Sequence, residues 1–225
     1  MATLTALDLQ MRKAALLVSP EDFLRRHVLY TPGFMTPPAS GVVSVYFSES
    51  TLYAEKTRPG SRLGVLSRPF HKTDAISISN NNPAAGVGGM AGAPVPCLQF
   101  NVHWIATSFH PPGAAVGAFP WYTLTNVSGL MVTQRLTGCS FVVDPAGGAM
   151  RVAHIMPSPG ETGTQLRARL VTLLGAGVSI YGRGEYSQDR EATVVGIDNG
   201  HGWHIYVQKQ DLQSFKVRSI KQLYP

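Results

Sequence analysis

The sequence predicts an α+β fold, a β-sandwich core of mixed sheets with flanking helices, and three observations carry that expectation. From Gly41 onward the chain is a succession of short runs rich in β-branched and aromatic residues, set apart by Gly, Pro and Asn clusters. Within that region a single stretch, Thr164 to Leu174, keeps the three-four apolar spacing of a long helix. Ahead of it, two helical stretches end at the proline-rich break Thr31-Pro-Gly-Phe-Met-Thr-Pro-Pro38. Many strands with few helices place the helices against sheets rather than between every pair of strands. The break divides the chain into a helical N-terminal segment, residues 1–38, and a β-sandwich domain, residues 39–225.

Taken in order, Leu4, Leu7, Met11, Ala14, Ala15 and Val18 mark an amphipathic helix over residues 4–18. Ser19-Pro20-Glu21-Asp22 supplies an N-cap, a proline at the first helical position and acidic first-turn residues for a second helix reaching Tyr30. This segment is expected to pack on the main domain, with a docking or delivery element as the alternative. Strands follow at Val42–Phe47, Ala75–Ile78, Leu98–Ile105, Trp121–Thr125 and Leu130–Thr133, with a long loop from Asn80 to Pro96. After the helix over Thr164–Leu174, closed by Gly175-Ala-Gly177, come strands at Val178–Tyr181, Ala192–Ile197, Trp203–Val207 and Phe215–Ile220.

Composition narrows the function. With 225 residues, 44% hydrophobic and 14% charged, the chain has enough apolar material for one large core. It holds no apolar run long enough for a membrane span, and its start lacks the basic-then-apolar layout of a Sec signal. The net charge of +6 favours acidic partners. Its basic residues cluster only at Lys209, Lys216, Arg218 and Lys221, where Asp211 intervenes and few aromatics alternate, which argues for a solvated face against a nucleic-acid patch. Two cysteines, Cys97 and Cys139, read as free thiols.

The chemistry concentrates around Cys139 and His154. Ser140-Phe-Val-Val and Arg151-Val-Ala-His-Ile flank Pro145-Ala-Gly-Gly, the pattern of a hairpin. With an even loop centred between Ala146 and Gly147, Cys139 falls directly opposite His154. Opposed residues on an antiparallel pair share a face with Cβ atoms about 4.5–5.5 Å apart, close enough for proton exchange between thiol and imidazole. An odd loop would put Ser140 opposite His154 and turn the cysteine to the other face. Gly138 permits a tight turn, and the amides of Gly138 and Ser140 are candidate oxyanion donors. Read singly, Cys139 fits a small buried hydrophobe and His154 a structural histidine better than a nucleophile and its base; it is their pairing across the hairpin that points to chemistry.

Leu136-Thr137-Gly138-Cys139, with His154 fifteen residues on, resembles the Leu-Ser-Gly-Cys…His signature of the cytotoxic necrotizing factor deamidases, related in fold to the Burkholderia lethal factor and to the chemotaxis receptor deamidases. The likeness spans residues 133–154, with Thr137 where the signature has serine. It implies a deamidase-toxin-like β-sandwich with Cys139 as thiol nucleophile, His154 as base and Thr133, six residues before the cysteine, supporting the histidine. It also implies hydrolysis of a glutamine side chain to glutamate without a cofactor or metal. The implied partner is a protein substrate, such as a small GTPase or a translation factor of a host, met by a bacterial effector secreted or delivered into the host cytosol. In that chemistry a Cys139 thiolate, stabilised by protonated His154, attacks the carboxamide. The alternatives are a non-catalytic β-sandwich binding module and a cysteine peptidase or acyltransferase using the same dyad. His201 and His204, three apart at a strand entry, point to different faces and lack further metal ligands. His103 and His110 read as structural or rim positions, and Cys97 as a buried thiol.

Overall fold

The structure, a computed structural model, describes residues 5–31, 39–54, 71–79, 96–145, 148–187, 190–211 and 216–225. Helix α1 (Ala6–Val18) starts at a capping box in which the Thr5 hydroxyl and the Asp8 carboxylate each accept from the other's backbone amide, and it buries Leu9 and Leu16. Helix α2 (Pro20–Arg26) follows with Pro20 at its start, acidic residues in its first turn and Arg25 and Arg26 in its last. The sequence extended α2 to Tyr30. Instead His27 is extended, and Val28–Tyr30 forms a short strand, β1, parallel to Ala75–Ser77. The backbone of Leu29 is claimed from outside: its N–H donates to Gln208 Oε1 (2.8 Å) and its carbonyl accepts from Thr193 Oγ1 (3.1 Å). Those bonds satisfy groups that a helix would have used internally.

The remaining strands are β2 (Gly41–Ala54), β3 (His71–Ser79), β4 (Cys97–Ile105), β5 (Thr107–Phe109), β6 (Tyr122–Thr123), β7 (Leu130–Thr133), β8 (Ser140–Asp144) and β9 (Arg151–Met156). After helix α3 (Gly163–Leu174) come β10 (Ser179–Tyr181), β11 (Arg190–Asp198), β12 (Trp203–Asp211) and β13 (Val217–Tyr224). They make two mixed sheets. The larger has the order β1-β3-β2-β4-β7-β11-β12-β13, with β1/β3 and β4/β7 parallel. The smaller runs β10-β8-β9-β5, with β6 also on β9 and β5/β9 parallel. The strands expected from the sequence are present. The Trp121–Thr125 strand shrinks to Tyr122–Thr123, the last strand begins at Val217, and β1 and β5 were not foreseen. The loop expected from Asn80 to Pro96 lies, but for Pro96, outside the described residues.

Strand alternation sorts side chains into three apolar layers. Leu130, Val132, Val195 and Ile197 face Leu9, Leu16, Phe23 and Leu24, so α1 and α2 cover one face of the large sheet. Met131, Val194 and Ile205 on its other face meet Phe141, Val143 and Val152 of the small sheet. The far face of the small sheet, Val142, Ala153 and Ile155, packs under Leu166 and Leu170 of α3. The order is therefore helices, sheet, sheet, helix, a mixed α+β architecture in which the N-terminal helices pack on the main core. Gln208, fully buried, ties them down: its Nε2 donates to the carbonyls of Leu24 and His27, both at 2.6 Å.

Candidate active site

The β8–β9 hairpin corrects the expected register while keeping its parity. Phe141, not Cys139, pairs with His154, followed by Val142 with Ala153, Val143 with Val152 and Asp144 with Arg151. The loop is even, as sharing a face requires, but it is centred one residue later, between Gly147 and Gly148. Two contacts account for the shift. Arg151 forms an ion pair with Asp144 directly across the strands. Met150 is drawn into the core, 8% exposed, with its carbonyl accepting from the Leu124 amide at 2.8 Å. Cys139 thus precedes the last pair, Ser140 with Ile155, and packs against the same inter-sheet core as Phe141; the register continued by one residue sets it toward Met156, one row beyond His154. Diagonal neighbours of this kind lie about 7–8 Å apart along the backbone.

That face looks inward. His154, 1% exposed, reaches across to the large sheet, where its Nδ1 lies 2.6 Å from Thr133 Oγ1, and within its own sheet the same nitrogen lies 3.3 Å from Oγ1 of its strand partner Thr107. Both hydroxyl protons are already committed. Thr133 donates to the Ile105 carbonyl at 2.7 Å, and Thr107 donates to Gln134 Oε1 at 3.0 Å. Each hydroxyl can therefore only accept from the ring, which places the proton on Nδ1 and leaves Nε2 with its lone pair. Nε2 is buried and has no hydrogen-bond partner. Burial also pushes the His154 pKa down to about 3, so the ring is neutral at physiological pH.

Cys139 is half-buried against the inter-sheet core, and the loop carrying it is held from one side. The Thr137 carbonyl accepts from the Arg183 guanidinium, and the Cys139 carbonyl accepts from Tyr186 Oη at 2.8 Å. Across trans peptides, the N–H groups of Gly138 and Ser140 then point away from the 183–186 segment. Gly163 lies against the Gly138 carbonyl and the Arg183 side chain, leaving no space for a Cβ, and Gly182 is equally close to Ser140 Oγ. Burial pushes the Cys139 thiol up to about 11, with the Arg183 charge opposing part of that rise. The expectation of a resting thiolate–imidazolium pair is therefore corrected: both groups are neutral, because each sits where charge is poorly solvated.

The other sequence candidates are placed elsewhere. His103 is buried, between Tyr122 Oη (2.9 Å) and the Thr125 carbonyl (2.8 Å). His110 is buried beside Phe119 and the Ala115 carbonyl. His204 is held by Asn199 and Gln222, while His201 is exposed. Among the described residues no group of three or more His, Cys, Asp or Glu side chains is arranged to hold a metal ion. Cys97, at the head of β4, is half-buried rather than buried. Of the basic C-terminal residues, Arg218 pairs with Asp211 and Lys221 with Glu185, as a solvated face would. Thr107 and Gln134 escaped the sequence reading, since a three-residue strand and a post-strand glutamine carry no periodic signal.

No helix among the described residues is long and apolar enough to cross a membrane. Compared with protein-family models and with curated proteins, the chain matches none.

Proposed function

We propose that this chain is a cysteine-dependent protein glutamine deamidase, with Cys139 as nucleophile, His154 as general base and Thr133 as the residue that fixes the histidine's tautomer. The observation that carries the reading is the His154 ring. Its Nδ1–H is bound by a hydroxyl that can only accept, and its Nε2 lone pair is unpartnered on the face that Cys139 shares. A buried acceptor without a partner costs free energy, which suits a group kept ready for a proton.

Because both groups start neutral, the thiol proton passes to Nε2 as Sγ bonds to the carboxamide carbon. The carbonyl oxygen becomes an oxyanion, met by the amides of Gly138 and Ser140. As the C–N bond breaks, imidazolium returns its proton to the leaving ammonia, and a thioester remains on Cys139. Water, deprotonated at Nε2, adds to the thioester. Expulsion of the thiolate, which recovers the proton, leaves glutamate on the target. An amine in place of water would give a transglutaminated product. This reading carries with it a deamidase-toxin-like fold and an effector acting on a protein of a host cytosol.

The test is mass spectrometry of a host lysate incubated with the purified protein. The reading requires a gain of about one dalton at one glutamine of one protein, absent with Cys139→Ala and with His154→Ala. No such gain in any protein overturns it. The depth of His154 and the raised thiol pKa favour a second reading, a non-catalytic binding module. Under it, alkylation of Cys139 by iodoacetamide, in a Cys97→Ser background, is slow at neutral pH and unchanged by His154→Ala. Under the deamidase reading His154→Ala slows it at least tenfold.

A further inference from the structure

We propose that Phe109 and Met156 form a subsite that holds an apolar side chain adjoining the target glutamine in the protein substrate, an inference that rests on the deamidase reading. The register carries it. In the small sheet one row runs Tyr181, Phe141, His154, Thr107, from the pairs Tyr181–Phe141, Phe141–His154 and Thr107–His154. Two residues further along β9 and β5, on the same face, Met156 pairs directly with Phe109, and Cys139, just before β8, falls in line with them when the Ser140–Ile155 register is continued by one residue. The nucleophile and this apolar pair are therefore neighbours in one row.

The two rows differ in exposure. His154 is 1% exposed and Phe141 fully buried, whereas Met156 is 40% and Phe109 45% exposed. The large sheet explains the step: β4 and β7 end at Ile105 and Thr133, the residues that close over the His154 row. On the opposite face of the same strands, Ile155 is buried beneath α3, so the exposure belongs to the Cys139 face alone. Among the Phe, Tyr and Trp side chains whose burial is described, Phe109 is the single exposed one. A glutamine entering toward Cys139 brings its neighbours in the target chain onto this pair. An aromatic ring beside a flexible thioether removes an apolar side chain from water while adapting to its shape. A charged or glycine neighbour gains nothing there.

The experiment uses synthetic peptides with a central glutamine flanked either by Leu and Phe or by Gly and Ser, with ammonia release as the activity readout. In parallel, Cys139→Ala protein with 13C-methyl methionine reports binding through the Met156 methyl resonance. The subsite requires a preference in kcat/KM of about tenfold or more for the apolar peptides, and a saturable shift of Met156 with those peptides only. It requires the preference to collapse toward one in the Phe109→Ser/Met156→Ser double variant and to survive in Phe109→Leu, which keeps an apolar surface. Release without preference, or a preference retained in the double variant, overturns the subsite and leaves the deamidase reading standing. A Met156 shift with apolar peptides and no ammonia from any peptide overturns the deamidase reading and leaves an apolar peptide site. Neither shift nor release overturns both.

Discussion

Replacing Thr133 by valine keeps the shape of the side chain and removes only the hydroxyl, so it isolates what that oxygen does. Thr133 is fully buried, accepts from His154 Nδ1 at 2.6 Å and donates to the Ile105 carbonyl at 2.7 Å. Valine leaves a buried N–H and a buried C=O without their partner, each at about 1–3 kcal/mol, and the longer contact to Thr107 at 3.3 Å recovers part of the first, for a net loss of about 2–4 kcal/mol. In a domain of this size that corresponds to a melting temperature lower by about 5–15 °C. The second consequence is chemical. With Thr133 gone, only Thr107 opposes the tautomer that protonates Nε2, and a ring in that tautomer cannot take the thiol proton. Ammonia release should fall about 100-fold or more, the scale of a lost general base, while Thr133→Ser restores both stability and activity. Urea unfolding gives the first number, 15N chemical shifts of the His154 ring report the tautomer, and ammonia release gives the third. A Thr133→Val protein as stable as its parent, with Nδ1 still wholly protonated, would refute the reasoning.

The depressed His154 pKa makes a signed prediction about acid. Between the unfolded value of 6.5 and the folded value of about 3, the unfolded chain binds a proton that the native ring refuses, so acidification favours unfolding. Between pH 6 and 5, above the ordinary carboxylate values, stability should drop by about 1.2 kcal/mol more than in His154→Asn, as read from urea midpoints. Equal slopes would show that the imidazole is charged or exposed in the native protein. Gly163→Ala places a methyl group against the Gly138 carbonyl and the Arg183 side chain, and should cost about 1–3 kcal/mol, with the Cys139 loop displaced. Its signature is faster alkylation of Cys139 at neutral pH as the thiol is loosened from its packing, and an unaltered rate would count against the clamp.

The face toward which Cys139 and His154 both turn was legible in the sequence, but their rows were not. The strands themselves do not choose, since Phe141-Val-Val and Val152-Ala-His-Ile are apolar and buried on both faces; the evenness of the hairpin loop sets which residues share a face. A slip by two keeps the same faces, so the choice fell to Met150 turning inward and to the Asp144–Arg151 pair, neither of which a periodic pattern announces. Thr133 was named only through the family resemblance, since by itself it reads as an ordinary strand threonine. Thr107 and Gln134 come from a connection between sheets and needed coordinates. The raised thiol pKa was illegible for a related reason: Tyr181 and Tyr186, of the core against which Cys139 packs, lie more than 40 residues beyond it. Helix α2 was read too long because Val28 and Leu29 continue an apolar pattern, and only the partners of Leu29, far along the sequence, convert it to strand.

Gln208 joins the last third of the molecule to its opening helices, and this sets an order of events during synthesis. The glutamine that caps the Leu24 and His27 carbonyls lies more than 180 residues further along the chain, so it is not yet made when α1 and α2 leave the ribosome. Until then the helices have β2 and β4 to rest on, but β1 lacks the Leu29 bonds that hold it against β11 and β12. A nascent chain stalled before residue 193 should therefore show protected amides in α1 and a freely exchanging one at Leu29, whose N–H gains its partner only after the C-terminal strands emerge.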